Sequence, residues 1–258
     1  MASKRVKGKG EMRLSCAALG WGNIGSPKEF KEILQSIKDA GYEGVGVEYD
    51  VIPDVLKKNP KQVKKIAKEV GLEVVSMAIN KTTTDMADVA ADMGAESGWL
   101  CLFEKDQKTA ADVTKKLTRA FEHKGMKVAV HPHVRSNAEN LKQLDDLLKV
   151  SKADVCFDTA HLEALRIDLP KFIRKYRDNI VLAHIKDLRD HVDPAKIDYD
   201  RDFVDLGEGV VDFKAVMKAF KDIGYKGWLM VEVDFPHKGS MAESAKTNYR
   251  YLKKLLEA

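Results

Sequence analysis

The sequence has no apolar run long enough to span a bilayer, so an integral membrane protein is excluded and no membrane partner is expected. It has only three cysteines, Cys16, Cys101 and Cys156, and their odd number and spacing fit neither a disulfide framework nor a metal-binding motif. We therefore expect a reducing compartment and a cytoplasmic protein. The sequence also lacks a large excess of one charge, since 44 basic and 40 acidic residues give a net charge of +4. Most of this excess lies in residues 1–11, so nucleic acid is not the expected partner.

Length and composition indicate one domain preceded by a short arm. The chain has 258 residues, of which 44% are hydrophobic and 33% charged, enough for a sizeable core beneath a polar surface. Residues 1–11 are basic and have no apolar stretch, so they are predicted to form a flexible arm rather than a secretory signal. No linker rich in Ser, Gly or Pro follows, and residues 12–258 are therefore assigned to a single domain.

Short apolar segments alternate with longer amphipathic helical patterns, such as Lys28–Ala40, as far as the C-terminus. The predicted strands are Arg13–Ala18, Gly44–Tyr49, Glu73–Ile79, Gly98–Phe103, Lys127–His133, Asp154–Asp158, Ile180–Lys186 and Gly227–Val233. This number is typical of a closed parallel barrel, so we predict an α/β fold with a single (β/α)8 TIM barrel. An open doubly wound sheet is the alternative, but Gly20, Gly22 and Gly25 do not fit its phosphate-binding turn.

One long segment, Leu188–Val211, shows no clear strand or helix pattern. It follows the seventh predicted strand, so in a barrel it would lie over the face that carries the chemistry. We expect an irregular loop there, and loops of this length are often functional.

Titratable residues gather at the carboxyl ends of the predicted strands. In a barrel these ends converge, and a cluster of carboxylates and imidazoles is costly to bury unless a cation holds it together. The sequence therefore predicts a metal site with one ligand from each of four consecutive strands: His131, Asp158, His184 and Glu232.

The types of ligand indicate the class of metal. Two imidazoles and two carboxylates suit a divalent transition ion such as Mn²⁺, Co²⁺, Fe²⁺ or Zn²⁺ better than Ca²⁺. Because side chains alternate along a strand, His131 and His133 point to the same side, and either could be the ligand. In the preferred assignment His131 is the ligand, and His133 and His161 either contact the metal ligands or face the substrate.

The same strand ends resemble a known superfamily, the xylose-isomerase-like barrels, which comprise sugar isomerases, epimerases, dehydratases and the endonuclease IV nucleases. Within it, the chain is most similar to the inosose (2-keto-myo-inositol) dehydratases. The segments that carry this likeness are Leu19–Asn23, Lys127–His133, Phe157–His161, His184–Arg189 and Leu206–Phe213, which leads to Trp228 and Glu232.

The resemblance implies a (β/α)8 barrel that binds one divalent ion, commonly Mn²⁺ or Co²⁺, with Zn²⁺, Fe²⁺ or Mg²⁺ as alternatives. It places Asp158, His184 and Glu232 at metal-ligand positions. Many epimerases and isomerases of the superfamily have Glu where this chain has His131, and this departure argues against an epimerase. Because members are often dimers or tetramers, a homo-oligomer is among the expectations.

Enzymes of this kind share one difficult step, the removal of a proton next to a carbonyl. The expected substrate is a small sugar or polyol. Glu232 or His133 is predicted to take the proton, and His161 or Lys186 to orient or protonate the hydroxyls. The candidate substrate contacts are Trp21, Glu48, Glu104 and Arg189.

Three rival functions are weighed against the dehydratase. A sugar or sugar-phosphate isomerase or epimerase would use the same metal without loss of water. An endonuclease IV-like nuclease would need more His ligands, and Asn80 ends the third strand where one of them is expected. A barrel that has lost its chemistry is disfavoured because the ligands are intact.

Overall fold

The structure is a computed structural model, and it describes residues 11–236 and 239–257. The predicted arm therefore lies outside the described residues except for Glu11. The strands are β1 Arg13–Ala17, β2 Gly44–Glu48, β3 Glu73–Ala78, β4 Ser97–Leu100, β5 Lys127–Val130, β6 Asp154–Asp158, β7 Ile180–Ile185, β8 Asp187–Leu188, β9 Phe203–Val204 and β10 Trp228–Val231.

Within the described ranges, eight parallel strands close into one barrel in the order β1-β2-β3-β4-β5-β6-β7-β10, and β10 pairs back with β1. This arrangement confirms the predicted (β/α)8 fold. The α-helices are α1 Pro27–Ala40, α2 Asp54–Lys58, α3 Lys61–Val70, α4 Met86–Met93, α5 Gln107–His123, α6 Leu141–Ser151, α7 Thr159–Ala164, α8 Leu169–Lys175, α9 Tyr199–Asp202, α10 Phe213–Asp222 and α11 Met241–Glu257.

Local signals set the ends of these helices. The Ser26 hydroxyl accepts a hydrogen bond from the backbone N–H of Glu29 at the start of α1, and Gly41 ends that helix with a φ of 116°. Buried apolar residues on one face of each long helix then pack against the outside of the barrel.

Three strands are clearly shorter than predicted. β4 ends at Leu100 rather than Phe103, β5 ends at Val130 rather than His133, and β10 ends at Val231 rather than Val233. Their apolar pattern continues because loop residues such as Leu102 and Val233 are also buried, at 1% and 5% exposed. These loop residues resemble strand residues in the sequence because they are buried, although they do not pair with a neighbouring strand.

The prediction that Leu188–Val211 is irregular is wrong. β8 and β9 form an antiparallel ribbon in which Leu188 pairs with Phe203, and a 3-10 turn and α9 lie between them. The strands have only two residues each, which is too short for an alternating pattern to be visible.

The inside of the barrel is filled by a separate apolar layer. Its members come from successive strands and include Ala17, Val75, Ala129, Cys156, Leu182, Trp228 and Met230. A Cβ added at Gly44 would lie 2.4 Å from a Val75 methyl group, so glycine in β2 makes room for these large neighbours. This packing closes the barrel below the site.

No helix in residues 11–236 or 239–257 is long and apolar enough to cross a membrane.

Candidate metal centre

Strand alternation brings the predicted ligands to the open end of the barrel. Cys156, Leu182 and Met230 point into the inner apolar layer of β6, β7 and β10. Asp158, His184 and Glu232 each follow one of these residues by two positions and therefore point to the same inward side. The carboxyl ends of three neighbouring strands thus deliver their polar side chains to one place.

Asp158, His184 and Glu232 form a compact buried group. His184 Nδ1 lies 3.0 Å from Glu232 Oε2 and 3.7 Å from Asp158 Oδ2, and all three side chains are at most 5% exposed. One ligand atom from each lies within 4.8 Å of the others, a spacing that a single metal ion can bridge.

His131 extends this group towards β5. Its Nε2 lies 3.3 Å from Asp158 Oδ2, and its ring is 4.9 Å from that of His184. It joins Asp158 and His161 in a second metal-capable group, and Cys156 and His184 in a third. The four predicted ligands are therefore neighbours, although their role as ligands stays a prediction.

The hydrogen bonding of this group fits a cation. Both ring nitrogens of His184 and Oε2 of Glu232 are buried, and none of them makes a hydrogen bond among the described residues; Nδ1 and Oε2 lie 3.0 Å apart without the alignment of a hydrogen bond. Buried polar atoms without partners destabilise a fold by a few kcal/mol each. A divalent transition ion coordinated by imidazole and carboxylate would satisfy them.

Lys186 neutralises the acidic side of the site. Its Nζ lies 2.6 Å from both Glu232 Oε1 and Asp234 Oδ2. Burial alone would lower the pKa of Lys186, but the charges of Asp234 and Glu232 raise it above its ordinary value. For Glu232 the signs are reversed: burial alone would raise its pKa, but the charges of Lys186 and His184 hold that pKa well below its usual range. The sequence analysis gave Asp234 no role.

Asp158 has a second, structural function. Its Oδ1 accepts a hydrogen bond of 2.7 Å from the backbone N–H of His161 and so caps α7. Burial would raise the pKa of Asp158, but hydrogen bonding to His131 lowers it overall. The cap fixes the carboxylate so that Oδ2 faces the imidazoles.

His133 and His161 stack over this group, with ring centroids 3.9 Å apart. Burial, and then the proximity of His131, lowers the pKa of His133 to about 4. The neutral ring donates from Nδ1 to the Val134 carbonyl oxygen at 2.7 Å, which leaves Nε2 as an acceptor. Of the two histidines after β5, His131 is the one that lies 3.3 Å from Asp158, whereas His133 hydrogen-bonds to the backbone of Val134.

Glu48 is the predicted substrate contact that the fold buries most deeply. It ends β2 at 3% exposed, and neither carboxylate oxygen has a hydrogen-bond partner among the described residues. Burial, and then the charge of Glu232, raise the pKa of Glu48 well above its ordinary value.

The other three predicted contacts lie in different settings. Glu104 is half-buried, and its backbone is held by the Asn137 side chain through two hydrogen bonds. Trp21 lies in a 3-10 turn after β1 and packs partly buried on the core. Arg189 is exposed, and its Nε donates to the Arg201 carbonyl oxygen, a placement that adds no support for a substrate contact.

Two neighbours of the imidazoles, on and just after β4, were not predicted. The Trp99 ring contacts His184 edge-on at 4.7 Å, and Cys101 Sγ lies 3.5 Å from His131 Nδ1. Both belong to the inward-facing series of that strand, so strict alternation counted from Trp99 could have identified them.

Comparison with known proteins relates the chain to barrels that act on sugars. A family model described as the xylose isomerase-like TIM barrel matches residues 80–255. The chain is 26% identical over 276 residues to an inosose dehydratase of Klebsiella pneumoniae (strain 342), with 88% of this chain and 91% of the relative covered. An inosose dehydratase of Serratia proteamaculans (strain 568) is also 26% identical over 301 residues, covering 95% and 98%.

Solved structures share the fold at lower identity. The IolI protein with a bound zinc atom superposes with a TM-score of 0.77 at 18% identity, covering 95% of this chain and 98% of that one. D-allulose 3-epimerase from Methylomonas sp., in complex with D-allulose, gives a TM-score of 0.73 at 16% identity, covering 96% of this chain and 98% of that one. At these identities the likeness establishes the architecture alone.

Proposed function

The chain belongs to the xylose isomerase-like TIM barrel family, and on that basis we propose a divalent-metal-dependent enzyme that removes a proton next to the carbonyl of a sugar or keto-polyol and expels water, as an inosose dehydratase does. The observation that carries the proposal is the group of Asp158, His184 and Glu232. Its buried nitrogen and oxygen atoms, of which those of His184 and Oε2 of Glu232 make no hydrogen bond among the described residues, converge at the open end of the barrel.

Asp158, His184 and Glu232 would hold the ion, with His131 as the fourth ligand. When bound, a divalent ion polarises a carbonyl and stabilises the negative charge that develops on enediolate oxygens. Lys186 keeps Glu232 ionised and fixes its position through Oε1, so that Oε2 stays directed at His184.

His133 is the better placed of the two candidate bases. The lone pair on its Nε2 is available because Nδ1 is occupied by the Val134 carbonyl, whereas Glu232 is engaged by Lys186 and His184. His161, which stacks on His133, would orient the substrate hydroxyls. A positioned base of this kind contributes about 10²–10⁴-fold to the rate.

A sugar isomerase or epimerase is the second candidate, because D-allulose 3-epimerase and L-ribulose 3-epimerase share the fold over 95% or more of this chain. Both functions use the same metal and the same proton abstraction. They differ in whether a hydroxyl leaves.

Product mass separates the two candidates. The protein is stripped with EDTA, reloaded with Mn²⁺ or Co²⁺, and incubated with 2-keto-myo-inositol and, separately, with ketohexoses. Loss of one water from the inosose supports the dehydratase, whereas conversion of a ketose at unchanged mass supports the epimerase. His184→Gln should abolish either activity, and the matched control His123→Gln, at the exposed end of α5, should retain it.

A further inference from the structure

Glu48 stands across the barrel from the candidate metal centre. The ligands come from the contiguous arc β5-β6-β7-β10, and β2 lies opposite β6 in the closed strand order. Gly44 and Gly46 of β2 face the inner apolar layer, where a Cβ would meet Trp228 and Met230. Glu48, two residues beyond Gly46, therefore points into the open end of the barrel, towards the arc.

The Glu48 carboxyl is poorly explained as a structural group. It is 3% exposed, and both of its oxygens lack a hydrogen-bond partner in the part of the chain that the structure describes. Glu96, an exposed carboxylate at the opposite end of the barrel, accepts a hydrogen bond from the Trp228 indole. A buried carboxyl without a hydrogen-bond partner destabilises the fold. Its presence here is explained if the bound substrate supplies that partner.

We propose that Glu48, as a neutral carboxylic acid, donates the proton to the hydroxyl that leaves the substrate; this assignment rests on the proposed dehydratase function. A substrate held by its carbonyl end at the arc would present its far side to β2. The raised pKa of Glu48 agrees with a neutral carboxyl.

Two other buried donors in the site are already occupied. The Lys186 ammonium is held between Glu232 and Asp234, and the Nδ1 proton of His133 is donated to the Val134 carbonyl. His161 Nδ1 is buried without a hydrogen-bond partner among the described residues, but burial lowers the pKa of His161 well below its ordinary value, and a neutral imidazole is a much weaker acid than a carboxyl group. Glu48 is therefore the better proton donor.

The step balances without a further reagent. A base takes the proton from the carbon next to the carbonyl, and the electron pair of that C–H bond forms an enediolate. As the enediolate collapses, a C=C bond forms, the C–O bond to the neighbouring hydroxyl breaks, and the Glu48 proton completes the departing water. The protonated base and the Glu48 carboxylate exchange one proton through solvent, which restores both groups.

Glu48→Gln tests the assignment because it keeps the shape of the side chain and removes its acidic proton. In D₂O with Mn²⁺ and 2-keto-myo-inositol, the variant should still exchange the α-hydrogen for deuterium at nearly the wild-type rate. Its kcat for water loss should fall by about 10²–10⁴-fold, the usual contribution of a general acid, with little change in KM. The infrared band of a neutral carboxylic acid should be present in the wild-type protein and absent from the variant.

The matched control is Glu43→Gln, which makes the same change just before β2 at a half-exposed carboxylate paired with Arg13; it should dehydrate at the wild-type rate. Should Glu48→Gln not fold, Glu48→Leu provides the same separation of exchange from dehydration. The assignment is overturned by wild-type dehydration in the variant, by parallel loss of exchange and dehydration, or by absence of the infrared band. A wild-type protein that exchanges no hydrogen and loses no water instead contradicts the proposed function itself, and the acid assignment with it.

Discussion

Lys186 is a buried cation paired with the buried Glu232 and the partly buried Asp234, and its removal has a calculable consequence. It is 1% exposed and lies 2.6 Å from Glu232 and from Asp234. Lys186→Met should lower the free energy of unfolding of the metal-free protein by about 3–5 kcal/mol, because both carboxylates then lose their counter-ion in a dry site. Urea denaturation at pH 7 measures the change.

The matched control is Lys218→Met, which removes a lysine 74% exposed and paired with Asp222 one turn along α10. Exposed pairs of this kind stabilise helices by about 0.3–0.5 kcal/mol, so this variant should change little. Equal stability of the Lys186→Met variant and the wild-type protein would show that the ion triad is energetically neutral.

At the scale of single residues, the sequence predicted which side chains meet but not how they pair. Asp158, His184 and Glu232 could be found because each ends a strand, and the ends of a parallel barrel converge. The contact between Lys186 and Asp234 could not be found, since it depends on side-chain rotamers across two neighbouring strands. The same limit applies to the absence of hydrogen-bond partners around Glu48.

At the scale of elements, one carboxylate fixes the loop that follows the β8-β9 ribbon. Asp187 Oδ2 accepts hydrogen bonds from the backbone N–H groups of Gly207 and Gly209 at 2.9 Å, and Oδ1 accepts one from Val211 at 3.2 Å. A Cβ at Gly209 would lie 2.1 Å from the Leu188 carbonyl oxygen, so only glycine permits this close approach.

Asp187→Asn should loosen this loop. An amide has one acceptor oxygen where the carboxylate has two, so the N–H groups that face the replaced oxygen lose their acceptor, at about 1–3 kcal/mol for a group that is buried. Hydrogen exchange at Gly207, Gly209 and Val211 should accelerate, while exchange in the barrel strands stays slow. Asp190→Asn is the control, because the Asp190 carboxylate accepts from the exposed His191 N–H. Unchanged protection of the three loop amides would contradict the proposed fixing role of Asp187.

The same elements show why the ribbon was not predicted. Long strands and helices are visible in sequence because their apolar periodicity repeats several times, as in α1, Pro27–Ala40, which was predicted as Lys28–Ala40. The ribbon is held instead by contacts between residues far apart in the chain, such as Asp187 with Gly209. In the sequence, such contacts are represented only by isolated glycine and acidic residues, which form no repeating pattern.

At the scale of the whole molecule, the two ends of the barrel differ in how their charged and polar groups are paired. At the amino end, Arg13 stacks over the Trp228 ring at 3.9 Å and pairs with Glu43 and Glu73. At the carboxyl end, nitrogen and oxygen atoms of His184 and Glu232 are buried without hydrogen-bond partners. The ionic groups of the first end pair with one another, whereas those of the second would be completed by the proposed metal ion, which is the division between stability and chemistry that parallel barrels commonly show.

This division predicts that metal binding stabilises the whole barrel. An ion that binds only the folded state adds about 2.7 kcal/mol when its free concentration is 100 times the dissociation constant. For a chain of this length, that corresponds to a rise of about 5–10 °C in Tm. Thermal unfolding of the EDTA-treated protein with added Mn²⁺, Co²⁺ or Zn²⁺ measures the rise. Quenching of tryptophan fluorescence by Co²⁺ reports on Trp99, whose ring contacts His184 edge-on at 4.7 Å.

His184→Gln should remove most of this stabilisation, because it deletes the imidazole that lies between Asp158 and Glu232. His123→Gln should keep it, since His123 is exposed at the end of α5. An equal rise in Tm in both variants would mean that the ion binds elsewhere, and the buried donors of the carboxyl end would then need another ligand. A rise confined to the wild-type protein and His123→Gln would place the stabilising ion at His184.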